Sequence, residues 1–471
     1  VLHVSTRGEA PALSFADALL AGLARDGGLY VPEAYPRLAD EAIRGFAGRP
    51  YAEVANTVVG ALADGAFEAD ALARMIGESY AAFRHEAVVP LVQIGDNLFV
   101  QELFHGPTLA FKDVAMQLLG RMMDHVLTER GQRATIVGAT SGDTGGAAIE
   151  AFKGLANVDI FILFPHGRVS DVQRRQMTTV EAANVHAIAI EGDFDDCQAL
   201  VKAMFNHLAF RDELGLSGVN SINWGRIAAQ TVYYFTAAVA LGAPLRPVSF
   251  AVPTGNFGDV LAGWVAKKMG LPIERLIVAT NRNDILVRTI ETGAHQAMGV
   301  MPTSSPSMDI QVSSNFERLL FEAHRRDAGA VRRLMGGFAQ SRRFDLDAGP
   351  LSRIRGEFDA DAIGEDKVDA TIRDVWRRSG YLLDPHTAIG VAAARRALKA
   401  DPATPVVALG TAHPAKFPAA VKAASGHEPA LPAHLSDLME RREAFARLPN
   451  RQGEVERFIR DRARAVKENS A

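Results

Sequence analysis

Hydrophobic positions change their period once along this chain. Up to about residue 90 they recur at helical spacing. Phe15, Ala18, Leu19 and Leu23 line one face behind Ser14, which with Asp17 three residues later resembles a capping box. Gly27 and Gly28 are expected to end that helix, and the Ala-rich stretches 51–63 and 69–83 read as further helices. From about 91, short and nearly continuous apolar runs take over: Leu98–Leu103, Thr135–Ala139, Val158–Phe164, Val185–Ile190, Val248–Val252, Leu276–Thr280 and Val406–Leu409. Most are bounded by Gly, Pro or Asn, with helix-length segments between many of them. Such runs predict strands buried on both faces, hence an α/β fold of two lobes of mostly parallel sheet covered by helices. Chain order predicts a helical N-terminal extension over 1–90, a smaller α/β lobe over 91–215 and a larger one over 216–471. Residues 281–380 look less regular, and 424–471 reads as a charged helical tail on the surface. A ligand is expected at the carboxyl ends of the strands, in the crevice between lobes.

Composition narrows the partners. The 471 residues are 48% hydrophobic and 23% charged, with a formal net charge of −4. So small a charge gives no global attraction to nucleic acid or an acidic membrane, and any anion must be held by a local site. Apolar runs fall far short of the roughly 20 residues that span a bilayer, and no secretory signal is visible at the start. The lone cysteine, Cys197, excludes an intramolecular disulfide, and its acidic neighbours do not activate a thiol. A cytoplasmic enzyme is expected. The 13 histidines show no metal-ligand spacing, so no metal is expected.

Five stretches carry candidate chemistry. Glu102–Asp113 (ELFHGPTLAFKD) runs from a strand end through a turn to a helix start, placing Lys112 in the first turn. Desolvation and a positive helix end would both lower an amine pKa there, which suits Schiff-base work. A surface lysine paired with Asp113 is the simpler reading of that stretch alone. Gly138–Gly146 (GATSGDTGG) and Pro253–Asp259 (PTGNFGD) each lie between a strand and a helix, as loops that cradle anions do. Neither ends as a Walker loop does. Asn220–Arg226 (NSINWGR) could clamp a phosphate bidentately, or be a capped helix start with a solvated arginine. Ala408–Lys416 (ALGTAHPAK) sets Thr411 at the end of a late strand, where a hydroxyl could meet a heterocyclic nitrogen. Arg168, Arg174 and Arg175 read as a solvated helix face, with substrate-phosphate steering as the alternative, and Met116, Met122 and Met123 as core.

In this order, the stretches resemble the threonine synthase family of the tryptophan-synthase-like, fold type II pyridoxal-phosphate enzymes. The openings Val4–Gly8 (VSTRG) and Asp26–Pro32 (DGGLYVP) resemble it too, and the likeness runs from about residue 4 to 418. It implies pyridoxal 5'-phosphate as cofactor, with Lys112 as the Schiff-base lysine. Gly255, Asn256, Phe257, Gly258 and Asp259 would form the cofactor-phosphate loop, and Thr411 would meet the ring nitrogen. Ser141, Asp143 and Thr144 would grip the substrate carboxylate, and Asn220, Ser221 and Arg226 the substrate phosphate. Many relatives in the wider group carry asparagine at the position of Asp143, donating toward the cofactor's phenolic oxygen; an aspartate could do so only if protonated.

The implied reaction is a γ-elimination and β-addition that turns O-phosphohomoserine and water into threonine and phosphate. A related phospho-lyase, or a serine/threonine dehydratase, would instead release an oxoacid. A small-molecule substrate and a monomer or small homo-oligomer are expected.

Overall fold

The apolar runs all become strands, and they sort into two sheets. In the computed structural model, which describes residues 1–465, the larger sheet is six-stranded. Its order is Phe358–Ala362, Ile273–Thr280, Val248–Pro253, Val406–Gly410, Leu98–Glu102 and Leu91–Gly95. Neighbours are parallel except the last two, which form an antiparallel hairpin. The five-stranded sheet is parallel throughout, in the order Ala446–Pro449, Val185–Glu191, Val158–Pro165, Ala134–Ala139 and Leu216–Ser217. Val158–Pro165 and Val248–Pro253 are buried at every residue, as strands covered on both faces must be.

This sorting does not follow chain order. Leu91–Gly95 and Leu98–Glu102 lie before the expected boundary of the larger lobe, yet they hydrogen-bond into the larger sheet. Nor is the C-terminal segment a helical tail on the surface: Ala446–Pro449 adds a parallel strand to the smaller sheet. The following helix Gln452–Arg460 buries Val455 and Ile459 against Phe161, Leu163 and Cys197. Its many charges mask that two-residue apolar face in the sequence. Likewise 281–380 is largely helical, with Ile285–Thr292, Phe316–Ala323, Ala328–Ser341, Ala348–Glu357 and Glu365–Ser379. Arg174 is not solvated: it binds both carboxylate oxygens of Glu443 at 2.9 and 3.0 Å, while Arg175 donates to the Arg441 carbonyl.

The N-terminal extension is helix-rich with one small antiparallel strand pair, His3–Ser5 with Tyr30–Pro32. Ser14 caps the helix Phe15–Ala21, whose end comes at Gly22 with φ of 64°, earlier than Gly27. Helices Tyr51–Ala63 and Ala69–Tyr80 pack on Trp224–Ala240 and Lys112–Arg130. Those last two helices run through the largest core, with Met116, Met122 and Met123 fully buried. No helix among the described residues is long and apolar enough to cross a membrane.

Helix Lys112–Arg130 also packs closely on Asp143–Phe152, because Gly120 faces the Ala151 carbonyl. A Cβ at Gly120 would lie 2.8 Å from that oxygen. Gly120→Val is therefore expected to destabilise the protein by about 1–3 kcal/mol, read as a lower urea midpoint; an unchanged midpoint would refute this packing.

Candidate active site

Lys112 opens its helix, and two neighbouring segments fix it there. The chain leaving strand Val406–Gly410 runs antiparallel to the residues before Lys112, so Phe111 N–H donates to the Thr411 carbonyl at 2.8 Å. His413 N–H donates to the Leu109 carbonyl at 3.0 Å. Thr411 and Lys112 are thereby held side by side. Asp113 does not pair with the lysine: its buried carboxyl accepts from the Thr108 N–H and hydroxyl, both at 2.7 Å. Burial pushes that acid up to about 6, against those two hydrogen bonds.

The Lys112 side chain is 12% exposed, and its Nζ lies 3.5 Å from Asp143 Oδ2. Burial lowers its pKa first; Asp143 opposes this, and the nearby cations Lys416 and Arg226 add to it. Asp143 begins the helix after the glycine-rich loop of the smaller lobe. Its Oδ1 takes Lys416 Nζ at 2.7 Å and Gln173 Nε2 at 2.9 Å, and its Oδ2 takes the Ser307 hydroxyl at 3.2 Å. Burial alone would raise this carboxyl, but Lys416 and Lys112 outweigh it and hold Asp143 well below the usual carboxylate range. Asp143 is thus an anion that only accepts. It cannot donate toward a phenolic oxygen, and a like charge repels a substrate carboxylate.

Two places could hold an anion. Loop Pro253–Asp259 follows a central strand, and Phe257 takes a left-handed φ of 64° to bring its backbone round. Helix Gly258–Lys268 has no side-chain cap, which leaves its first N–H groups open to an anion. A Cβ on Gly255 would lie 3.0 Å from Ile310 and 3.1 Å from the Ser307 carbonyl, so only glycine fits there without a shift. Asn315 braces the loop, donating from N and Nδ2 to the Asn256 carbonyl at 3.1 and 3.2 Å. The same Nδ2 reaches the Ser221 carbonyl at 3.1 Å, tying this loop to Asn220–Arg226.

Arg226 is the second. It is 3% exposed; among the described residues its guanidinium makes one hydrogen bond, from Nη1 to the Val219 carbonyl at 3.3 Å, and its Nε has no partner. Burial brings it down to about 10. A buried guanidinium without a carboxylate calls for an anionic ligand. The buried Thr411 hydroxyl is also unpartnered among the described residues. An amine of lowered pKa, an open helix start behind a glycine loop and an orphan hydroxyl fit pyridoxal phosphate.

Other expected residues sit differently. Ser141 and Asn220 are exposed, and Thr144 is half-buried. Asp259 turns into the core, where Tyr233 and Tyr234 both donate to its Oδ1, so its carboxyl is not part of the loop's surface. Sequence reasoning missed Lys416, Ser307, Gln173 and Asn315. Lys416 closed a stretch already singled out, but nothing local distinguishes it; Ser307, Gln173 and Asn315 had no signal.

Burial raises Asp259 from 3.8 to about 7, against its two tyrosine bonds. The protonated form is the one that fits, so its contribution to stability is full below 3.8 and is lost as pH rises through about 7. Asp259→Asn, which keeps the acceptor oxygen, is expected to flatten the fall in Tm between about pH 5 and about pH 7.5. An unaltered slope would refute the raised acid.

Comparison with known proteins agrees with this geometry. Residues 2–80 match the family model of the threonine synthase N terminus, 84–334 that of pyridoxal-phosphate dependent enzymes, and 387–459 that of the threonine synthase C-terminal region. The threonine synthase of Pseudomonas aeruginosa is 55% identical over 463 residues, 97% of each chain. The crystal structure of PLP-bound threonine synthase from Brucella melitensis superposes with a TM-score of 0.96 at 64% identity, covering 98% of this chain and 99% of that one. The yeast enzyme gives 0.93 at 37% identity, covering 98% of each. The chain belongs to the threonine synthase family, pyridoxal-phosphate-dependent enzymes of fold type II.

Proposed function

We propose that the chain converts O-phospho-L-homoserine and water to L-threonine and phosphate, by γ-elimination followed by β-addition. The observation that carries this reading is Arg226: a buried cation without a carboxylate, near the reactive lysine yet on a different segment from the cofactor-phosphate loop. Two phosphates need two sites, and the open start of helix Gly258–Lys268 and the Arg226 guanidinium would supply them.

Lys112 would hold the cofactor aldehyde covalently. Gly255, Asn256, Phe257 and Gly258 would hold its phosphate at the open start of helix Gly258–Lys268, and the Thr411 hydroxyl would meet the ring nitrogen. When bound, pyridoxal phosphate supplies an electron sink for the bond broken at the α carbon. The Thr411 hydroxyl, unlike a carboxylate, would not hold a proton on that nitrogen, which would restrain competing reactions.

The chain's own groups do the rest. Burial lowers the Lys112 pKa, which favours the neutral amine, and its Nζ would take the α proton. Arg226, with Asn220 and Ser221, binds the substrate phosphate and stabilises it as it leaves. With Asp143 charged, the substrate carboxylate falls to Ser141, Thr144 and the N–H groups starting helix Asp143–Phe152. Burial of Lys112 limits water until it is needed at the β carbon. A cytoplasmic location, a small-molecule partner and a monomer or small homo-oligomer complete this reading. The buried Cys197 thiol, pushed up to about 12 by burial and its neighbours Asp196 and Asp193, plays no part.

Purified protein given O-phosphohomoserine is expected to release threonine and phosphate in equal amounts; oxoacid without threonine would overturn the proposal. Lys112→Ala should abolish both turnover and the visible band of the bound cofactor. Arg226→Ala should raise KM for the phosphorylated substrate by about 10- to 100-fold, the loss of a charged hydrogen bond or two. An unchanged KM would remove Arg226 from the site.

A further inference from the structure

Lys416 is the most completely satisfied buried charge at the site. Its side chain is 0% exposed. Its three N–H groups meet three acceptors: Asp143 Oδ1 at 2.7 Å, the Thr108 carbonyl at 2.7 Å and Gln176 Oε1 at 3.1 Å. Gln176 in turn donates to the Thr108 carbonyl at 3.1 Å. This cage joins the turn Pro414–Lys416 of the larger lobe to helices Asp143–Phe152 and Asp171–Thr178 of the smaller.

The geometry creates a competition. Asp143 has one negative charge and two lysines beside it: Lys416 is bonded at 2.7 Å, while Lys112 stands off at 3.5 Å. Three charged groups face the Lys112 amine, namely Asp143, Lys416 and Arg226 from helix Trp224–Ala240. Asp113, on its own helix, is turned toward Thr108. A lone carboxylate so close would hold Lys112 as an ammonium, which is no nucleophile. With Lys416 bonded to the carboxylate at 2.7 Å, the hold of Asp143 on Lys112 is weakened rather than abolished, and a second positive charge repels a proton from Lys112.

We propose that Lys416 is a positioning residue of this site: its ammonium takes the Asp143 carboxylate for itself and so leaves the Lys112 amine free to react. The proposal rests on the reading of Lys112 as the residue that captures the cofactor. It accounts for an aspartate at this place, since Asp143 and Lys416 work as a pair.

The test is the pH dependence of cofactor capture by the full chain freed of cofactor. Pyridoxal phosphate is the probe, followed by absorbance, with the adduct fixed by borohydride and located by peptide mass. Lys416→Gln removes the charge but keeps N–H donors for Thr108 and Asp143. It is expected to move the midpoint upward by about one pH unit, which is about tenfold slower capture below the midpoint. Lys416→Arg, which keeps the cation, is expected to stay nearer the wild type. In Asp143→Asn/Lys416→Gln no carboxylate remains to lock the amine, and the midpoint is expected to lie no higher than in the wild type.

An unmoved midpoint in Lys416→Gln overturns the proposal, as does an equal shift in Lys416→Arg. Should Lys416→Gln not fold, the double variant decides alone, and a raised midpoint there overturns it. An adduct on a residue other than Lys112 would instead sink the reading of Lys112, an outcome the peptide mass distinguishes.

Discussion

Positive charge buried in excess of its partners is the constraint around which this site is built. Lys112, Lys416 and Arg226 all lie deep between the strand ends, and Asp143 is the carboxylate bonded among them. Taking a charge out of water costs several kcal/mol unless something opposite meets it. Asp143 and its cage settle Lys416, burial drives Lys112 toward neutrality, and Arg226 is left over. Such a crevice favours ligands that bring negative charge with them. A phosphorylated cofactor and a phosphorylated substrate are two such ligands, and their anions complete a site that the protein alone leaves unbalanced.

The backbone prepares this balance before any side chain acts. Loops after the central strands Val248–Pro253 and Val406–Gly410 of one sheet and Ala134–Ala139 of the other converge on the crevice. Parallel strands make this unavoidable, because each connection begins at the same edge. A helix start follows two of these loops: that at Gly258 has no side-chain cap, and that at Asp143 has the Thr140 hydroxyl accepting from the Gly145 N–H at 2.9 Å. The third delivers Thr411 and Lys416 from one turn, and its first residues pair with those that lead into Lys112. Thr411, Lys416 and Lys112 are therefore set relative to one another by one short antiparallel contact.

Rigidity comes from the two long helices beneath. Lys112–Arg130 begins with Lys112 itself and Trp224–Ala240 begins near the buried Arg226 guanidinium, and both run straight into the main core. Close approach at Gly120 presses the first onto the helix that starts with Asp143. A displacement of either helix would alter the 3.5 Å gap between Lys112 and Asp143, so packing far from the crevice bears on its electrostatics.

Local pattern decided much of this molecule. Apolar runs long enough to be buried on both faces made the strands, and the Gly, Ser and Thr loops between strand and helix marked the crevice, with Lys112, Gly255, Phe257, Thr411 and Arg226 named from spacing and family resemblance. Those features are legible because period, turn chemistry and helix starts act within a few residues. What needed the tertiary structure were relations between distant segments: that Leu91–Glu102 pairs into the larger sheet, that the C-terminal strand Ala446–Pro449 returns to the smaller one, and that Lys416 and Ser307 reach Asp143. The charge state of Asp143 belongs with these. A carboxyl's ionisation is set by the cations around it in space, and no run of neighbours in the chain discloses that one lysine would arrive from 273 positions further along (416 minus 143) to claim it.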